Sequence, residues 1–308
     1  METPSVLGES RWTKMGSKIA VRNVQALAAS ADQQTAETLE RYIRPDIDRD
    51  AVLVEHSGEV PVIDLGKLLD GVTGEAEAAV LKFACEEWGF FQLANHGIPE
   101  EVIVNIKRDL HKFFELPLHV KNAYAQSPGD VQGYGQAFVM SDDQKLDWAD
   151  LLGIFSQPPQ GRDMRYWPTE PETFRSSIED YSSELMKVAH QVVASIAATL
   201  DVDTEIMGDK YSVQFLRMNY YPPCMPMPEK IMTNGKYKSI EHRVTINAHK
   251  ERLSISAFHI PKYDGIISPM KAAIDEKLLY KTTRVGEYAR LYMSNKLEAK
   301  RALDHAKI

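Results

Sequence analysis

The sequence predicts an α+β fold: a mainly helical N-terminal region, a strand-rich core after it, and a closing C-terminal helix. Two patterns predict it. Between about residues 75 and 200, apolar residues recur at spacings of three and four, the period of a half-buried helix. Beyond Asp209 the period changes to two, that of a strand with one buried face. The chain has 308 residues, 44% of them hydrophobic and 26% charged, which is enough apolar surface for about two domains or one large one. No internal repeat or low-complexity tract interrupts it.

Residues 1–60 read as an amphipathic lead-in helix and loop, with Val21, Val24, Leu27 and Ala28 spaced for one helical face, expected to pack on the outside. Pro61-Val62-Ile63-Asp64-Leu65 reads as a short buried strand. From Glu75 to Trp88 the residues Ala79, Val80, Phe83 and Ala84 suggest a helix face, and Gly89 a stop. A strand follows at 90–94. Ile98-Pro99 opens a second helix, whose stripe Val102, Ile103, Ile106, Leu110 and Phe113 ends before Pro117.

Residues 125–170 read as loop-rich, with Gly129, Gly133, Gly135, Pro158, Pro159 and Pro168; such loops often border pockets. A long helix is expected from near Thr169, where Thr169 and Glu172 match a capping box and Pro171 suits the first turn. It should run to about Leu200, burying Tyr181, Leu185, Val188, Val192, Ile196 and Leu200. Asn234-Gly235 marks a turn before a strand at 239–247. In that strand Ile240, His242, Val244 and Ile246 share a face. After a loop at 247–251, Arg252, Ser254 and Ser256 share the face opposite Leu253, Ile255 and Ala257. A helix rich in Lys and Arg is expected at about 285–306.

Lys and Arg total 36 against 44 Asp and Glu, a net charge of −8, and no basic run of nucleic-acid type occurs. A nucleic-acid partner is not expected. No stretch of about 18 apolar residues and no signal-peptide pattern occurs, so the expectation is a cytoplasmic protein without a membrane partner. Cys85 and Cys224 lack metal-type spacing and read as buried thiols.

An inward His on one strand, followed by inward Arg and Ser on the next, has a chemical logic. Imidazole can ligate a metal. The Arg fork grips a carboxylate at two points, and a hydroxyl two residues on can bond the same group. The bland alternative is a hydrogen-bonded core histidine.

The string Asn219-Tyr220-Tyr221-Pro222-Pro223-Cys224, then Asn234 to Arg243, then Arg252-Leu253-Ser254, resembles the plant Fe(II)/2-oxoglutarate-dependent dioxygenases. Upstream, PVIDL at 61–65, WGFFQLANHGI at 88–98 and LDWAD at 146–150 resemble the N-terminal region of that family. Within that family it resembles the alkaloid O-demethylase and norcoclaurine-synthase-like branch. The resemblance implies a double-stranded β-helix, or jelly-roll, core holding iron by two histidines and a carboxylate. It implies Fe(II) and 2-oxoglutarate as cofactors, ascorbate as reductant, and a small aromatic or alkaloid-type substrate. His242 matches the distal iron ligand of the family; Asn219, Tyr221, Arg252 and Ser254 match its 2-oxoglutarate contacts. The domains would be a lead-in at 1–60, a helical region at 61–205, a residual jelly roll at 206–265 and a C-terminal tail and helix at 266–308.

One part of the pattern is missing. The family carries a His-X-Asp motif between its tyrosine-proline motif and its distal histidine, yet residues 222–241 contain neither His nor Asp. Only 17 residues separate Cys224 from His242, so on the order of fifty residues of central strand are absent, with a junction near Lys230-Ile231. The jelly roll should therefore be internally truncated. His249-Lys250-Glu251 alone has a His-X-acid spacing, and it falls where a turn is expected; Glu241 falls on the strand face opposite His242. The sequence thus points to a family member without turnover, or to a non-catalytic small-molecule-binding or interaction protein derived from that family.

Overall fold

A computed structural model describes residues 19, 21–29, 41–42, 59–136, 139, 141, 144, 146–204, 211–221, 251–270, 278–294 and 305–308. The expected strand at 239–247 with His242, the Asn234-Gly235 turn, Cys224, His249 and the helix beyond 294 lie outside them.

The centre of the molecule is a four-stranded antiparallel sheet in the order β3 (Gly133–Gly135), β4 (Asp150–Gln157), β5 (Val213–Tyr220), β6 (Leu253–Ile260). Half of its strands come from the region upstream of 206. Beside it, β1 (Val62–Asp64) pairs in parallel with β2 (Gln92–Ala94), and β7 (Ile266–Ile267) pairs with β8 (Thr283–Arg284). The helices are α1 (Val24–Ala29), α2 (Gly74–Phe83), α3 (Glu100–Glu115), α4 (Phe174–Thr199) and α5 (Val285–Ser294), with shorter helical turns between. Among the described residues no helix is long and apolar enough to cross a membrane.

Strand alternation divides the sheet into two faces. Leu152, Ile154, Leu216 and Met218 point one way and pack on Ile106, Leu110, Phe113 and Phe114 of α3 and on Phe174 and Ile178 of α4. This is the main core, and Leu253, Ile255 and Ala257 of β6 lie against it as the alternation predicts. The opposite face carries an apolar cluster at one end, where Phe155, Val213, Phe215 and Ile260 meet Tyr288 and Tyr292 of α5. At its other end stand Arg217, Asn219 and Ser254.

Four expectations need correction. In the described part of the lead-in, the buried face of α1 is Val24 and Leu27 and does not include Ala28, which is exposed. On α2 and the π-helical turn Ala84–Trp88 after it, the core face is Leu81, Ala84 and Cys85, whereas Ala79, Val80 and Phe83 face outward. Residues 125–170 contain the central strand β4, buried along nearly its whole length. Its run Leu151-Leu152-Gly153-Ile154-Phe155 shows no alternation because both of its faces are covered. The long helix begins at Phe174, not near Thr169: the Thr169 hydroxyl bonds the Tyr124 hydroxyl, and the Thr173 hydroxyl donates to Asp109 Oδ2 at 2.8 Å.

Other expectations hold. The α3 stripe centres on Ile106, Leu110 and Phe113, and the α4 face carries Val188 and Leu200 into the core with Tyr181, Leu185, Val192 and Ile196 packed beside them. Gly89 ends its helix in the left-handed conformation, φ 74°, which only glycine adopts without cost. Cys85 is buried.

Candidate functional site

The polar end of the sheet is set by the β5–β6 register, in which Asn219 stands opposite Ser254 and Arg217 opposite Ser256. Asn219 is 3% exposed, and its Nδ2 donates to Ser254 Oγ at 3.2 Å. One step further, the Tyr221 N–H donates to the Arg252 carbonyl at 3.0 Å, extending the ladder past the formal strand ends. The Arg252 guanidinium lies 4.7 Å over the Tyr221 ring, a cation–π contact that keeps the cation beside the sheet rather than free in solvent. Asn219, Tyr221, Arg252 and Ser254 are therefore brought together at one end of one sheet face. His242 lies outside the described residues.

Two residues of this face had not been singled out from the sequence. Arg217 Nε donates to Asn219 Oδ1 at 2.8 Å, and Arg217 Nη2 lies 3.7 Å from Asp147 Oδ2, with both side chains largely enclosed. Period two could have found Arg217, since it precedes Asn219 by two positions on the same strand. Gly153, paired with Arg217 across β4–β5, keeps the face open: a Cβ there would stand 2.7 Å from Phe215 Cζ and 3.1 Å from the Val131 carbonyl oxygen.

The reverse side of the β6 entry holds a different group. Glu251 bonds the Tyr220 hydroxyl with Oε2 and His111 Nε2 with Oε1, the latter at 2.8 Å, while His111 Nδ1 lies 3.2 Å from Glu115. The Tyr220 hydroxyl and then His111 hold the Glu251 carboxyl below its ordinary range. Burial opposes the charge on His111, but Glu251 and Glu115 outweigh it and push the imidazole up. Burial first, then Glu251, pushes the Tyr220 phenol up to about 12. Glu251 is thereby committed to the helical layer, on the face away from Asn219 and Ser254.

The donor set fits one of the two groups that the resemblance implies. A guanidinium and a hydroxyl stand together where a carboxylate could be held by charge-assisted bonds, with a buried amide bonded to that hydroxyl and an aromatic ring beneath the guanidinium. Among the described residues an iron ion finds no such set. Residues 222–241 supply neither His nor Asp, Glu251 is engaged elsewhere, and among the described residues no three His, Cys, Asp or Glu side chains are grouped to hold a metal.

Residues 60–171 match the family model described as the non-haem dioxygenase in morphine synthesis N-terminal, and residues 228–261 match the 2OG-Fe(II) oxygenase superfamily. The chain is 38% identical to S-norcoclaurine synthase 1 of Coptis japonica, over 96% of this chain and 99% of that protein. It is 35% identical to 2-oxoglutarate-dependent dioxygenase 11 of Oryza sativa subsp. japonica, over 94% and 97%. It is 32% identical to codeine O-demethylase of Papaver somniferum, over all of both chains. Among solved structures, that of JOX2 in complex with 2OG, Fe and JA superposes with a TM-score of 0.76 at 27% identity, covering 90% of this chain and 94% of that one. A rice dioxygenase for auxin oxidation, at 21% identity and a TM-score of 0.66, shares the fold.

The chain belongs to the Fe(II)/2-oxoglutarate-dependent dioxygenase family, with its α+β jelly-roll fold. The alignment with S-norcoclaurine synthase 1 runs over 350 positions, more than the 308 residues of this chain, so the relative carries dozens of residues without a counterpart here.

Proposed function

We propose that this chain binds 2-oxoglutarate through Arg252, Ser254, Asn219 and Tyr221 but does not turn it over. The observation that carries the reading is the interval 222–241, which contains no His and no Asp and so leaves His242 as the one remaining iron ligand. Magnitudes favour loss of turnover over mere impairment. Removing a group that only orients a metal ligand costs ~10–100-fold in affinity or activity, and here two direct ligands are gone.

A substrate-like ligand of this chain would be a specialised plant metabolite of aromatic or alkaloid type, by analogy with the named substrates of relatives such as codeine O-demethylase. A cytoplasmic location suits a chain whose described helices include none able to cross a membrane.

The test is purified protein supplied with Fe(II), ascorbate and 2-oxoglutarate, with succinate measured against a no-protein control. No succinate above the control is expected, while 2-oxoglutarate still binds; succinate formed over several turnovers would overturn the reading. Restoring a His-X-Asp strand segment from an active relative between residues 230 and 231 should bring succinate formation back.

A further inference from the structure

A row of polar side chains crosses the site face and includes two of the groups assigned to 2-oxoglutarate, Asn219 and Ser254. Asp147 Oδ2 lies 3.7 Å from Arg217 Nη2, Arg217 Nε donates to Asn219 Oδ1 at 2.8 Å, and Asn219 Nδ2 donates to Ser254 Oγ and to the Arg217 carbonyl, each at 3.2 Å. A guanidinium has donors only, so it accepts just one orientation of the Asn219 amide, with the oxygen toward Arg217 and the nitrogen toward Ser254. Turning the amide over would set Nδ2 against the Arg217 fork. With its oxygen already accepting from Asn219, Ser254 has its single hydroxyl hydrogen to give, and among the described residues none takes it.

We infer that Arg217 is a positioning residue: it locks the Asn219 amide so that Ser254 presents its hydroxyl as a donor to the carboxylate gripped by Arg252. This rests on the reading of Arg252 and Ser254 as the 2-oxoglutarate contacts. Asp147 supports the arrangement by fixing the other arm of the Arg217 fork. Because Asn219 is 3% exposed, the orientation is set before any ligand arrives, which spares the ligand the cost of ordering it.

The experiment is calorimetric titration of the full chain with 2-oxoglutarate, without metal, for the parent and for Arg217→Met, Arg217→Lys, Ser254→Ala and the Arg217→Met/Ser254→Ala double variant. Losing the oriented hydroxyl should weaken binding about tenfold in Arg217→Met and in Ser254→Ala, the scale of one hydrogen bond to a charged group. The double variant should be no weaker than Ser254→Ala within about twofold, because both changes remove one interaction. Arg217→Lys keeps the charge and a donor-only head but loses the fork, so its affinity should fall between those of the parent and Arg217→Met. A double variant weaker than Ser254→Ala by the full Arg217→Met factor would show that Arg217 acts independently of the Ser254 hydroxyl and overturn the inference.

If the parent itself fails to bind, the proposed function falls. The relay is then read from the side-chain amide resonances of Asn219 in ligand-free protein. A shift of that pair on Arg217→Met is expected, and an unmoved pair overturns the inference irrespective of ligand.

Discussion

Arg252 stands at the mouth of the polar face, exposed yet held at 4.7 Å over the Tyr221 ring. That placement matters because a guanidinium ordered before binding loses less freedom on gripping a carboxylate. Arg252→Ala should weaken 2-oxoglutarate binding by about ten- to a hundredfold, the worth of a charge-assisted contact, and Arg252→Lys should recover only part of it. Calorimetry on the two variants checks both the loss and its order. At this scale the sequence was informative where strand alternation applied: Leu253, Ile255 and Ala257 lie against the helical core and Ser254 on the other face, where it meets Asn219, a residue matched by resemblance alone, at 3.2 Å. Arg217 was equally legible by spacing, but a charged residue in a half-buried strand carries no sign of its partner. Asp147 reaches it from a loop, and loop positions have no period from which to place them.

At the scale of elements, β4 holds α1 in place. Asp150 accepts from the Val24 and Gln25 N–H groups at 2.9 and 2.8 Å, so a strand carboxylate closes the first turn of a helix some 125 residues earlier in the chain. Burial pushes the Asp150 carboxyl up, opposed by those two N–H groups and by the Lys121 charge. Asp150→Ala would leave buried donors unpaired and should lower stability by about 1–3 kcal/mol, read from urea midpoints at constant slope.

The Asp150 contact is long-range, so the sequence of the lead-in shows an apolar face but not the acid that fixes it. The same limit explains Thr169, where a capping-box string is present while its hydroxyl has a better partner in Tyr124.

The His111–Glu251 contact joins α3 to the entry of β6, and its pH dependence has a definite sign. The pKa of His111 is raised on folding, so its contribution is present below the ordinary imidazole value of 6.5 and is lost as pH rises through the folded value. The pKa of Glu251 is depressed, so its contribution is present above the ordinary 4.5 and is lost as pH falls through the folded value. Both side chains are nearly half exposed, which limits the pair to a few tenths of a kcal/mol. His111→Gln should therefore lower the urea midpoint slightly at pH 6 and leave it unchanged at pH 9.

For the whole molecule, one sheet separates two jobs. Its helix-facing side carries the main core through Leu152, Ile154, Leu216 and Met218, and its other side grades from Phe155 and Phe215 to Arg217, Asn219 and Ser254. Under the proposed reading, the groups assigned to 2-oxoglutarate stand on β5, β6 and the residues next to them, and would persist when residues between the two strands are missing. The iron half depends on residues of the missing span. Such a division could be read from the sequence because the absent ligands form one contiguous gap between motifs that are otherwise intact. The placement of β4 in the same sheet could not be read, since a strand covered on both faces has no period to reveal it.

The most direct test of this division is the affinity for 2-oxoglutarate measured with and without Mn(II) as a redox-inert stand-in for iron. The same affinity in both titrations is predicted, because no metal is held to bind the oxo-acid end of the ligand. An affinity tenfold or more higher with Mn(II) would show that a metal site assembles in this chain after all.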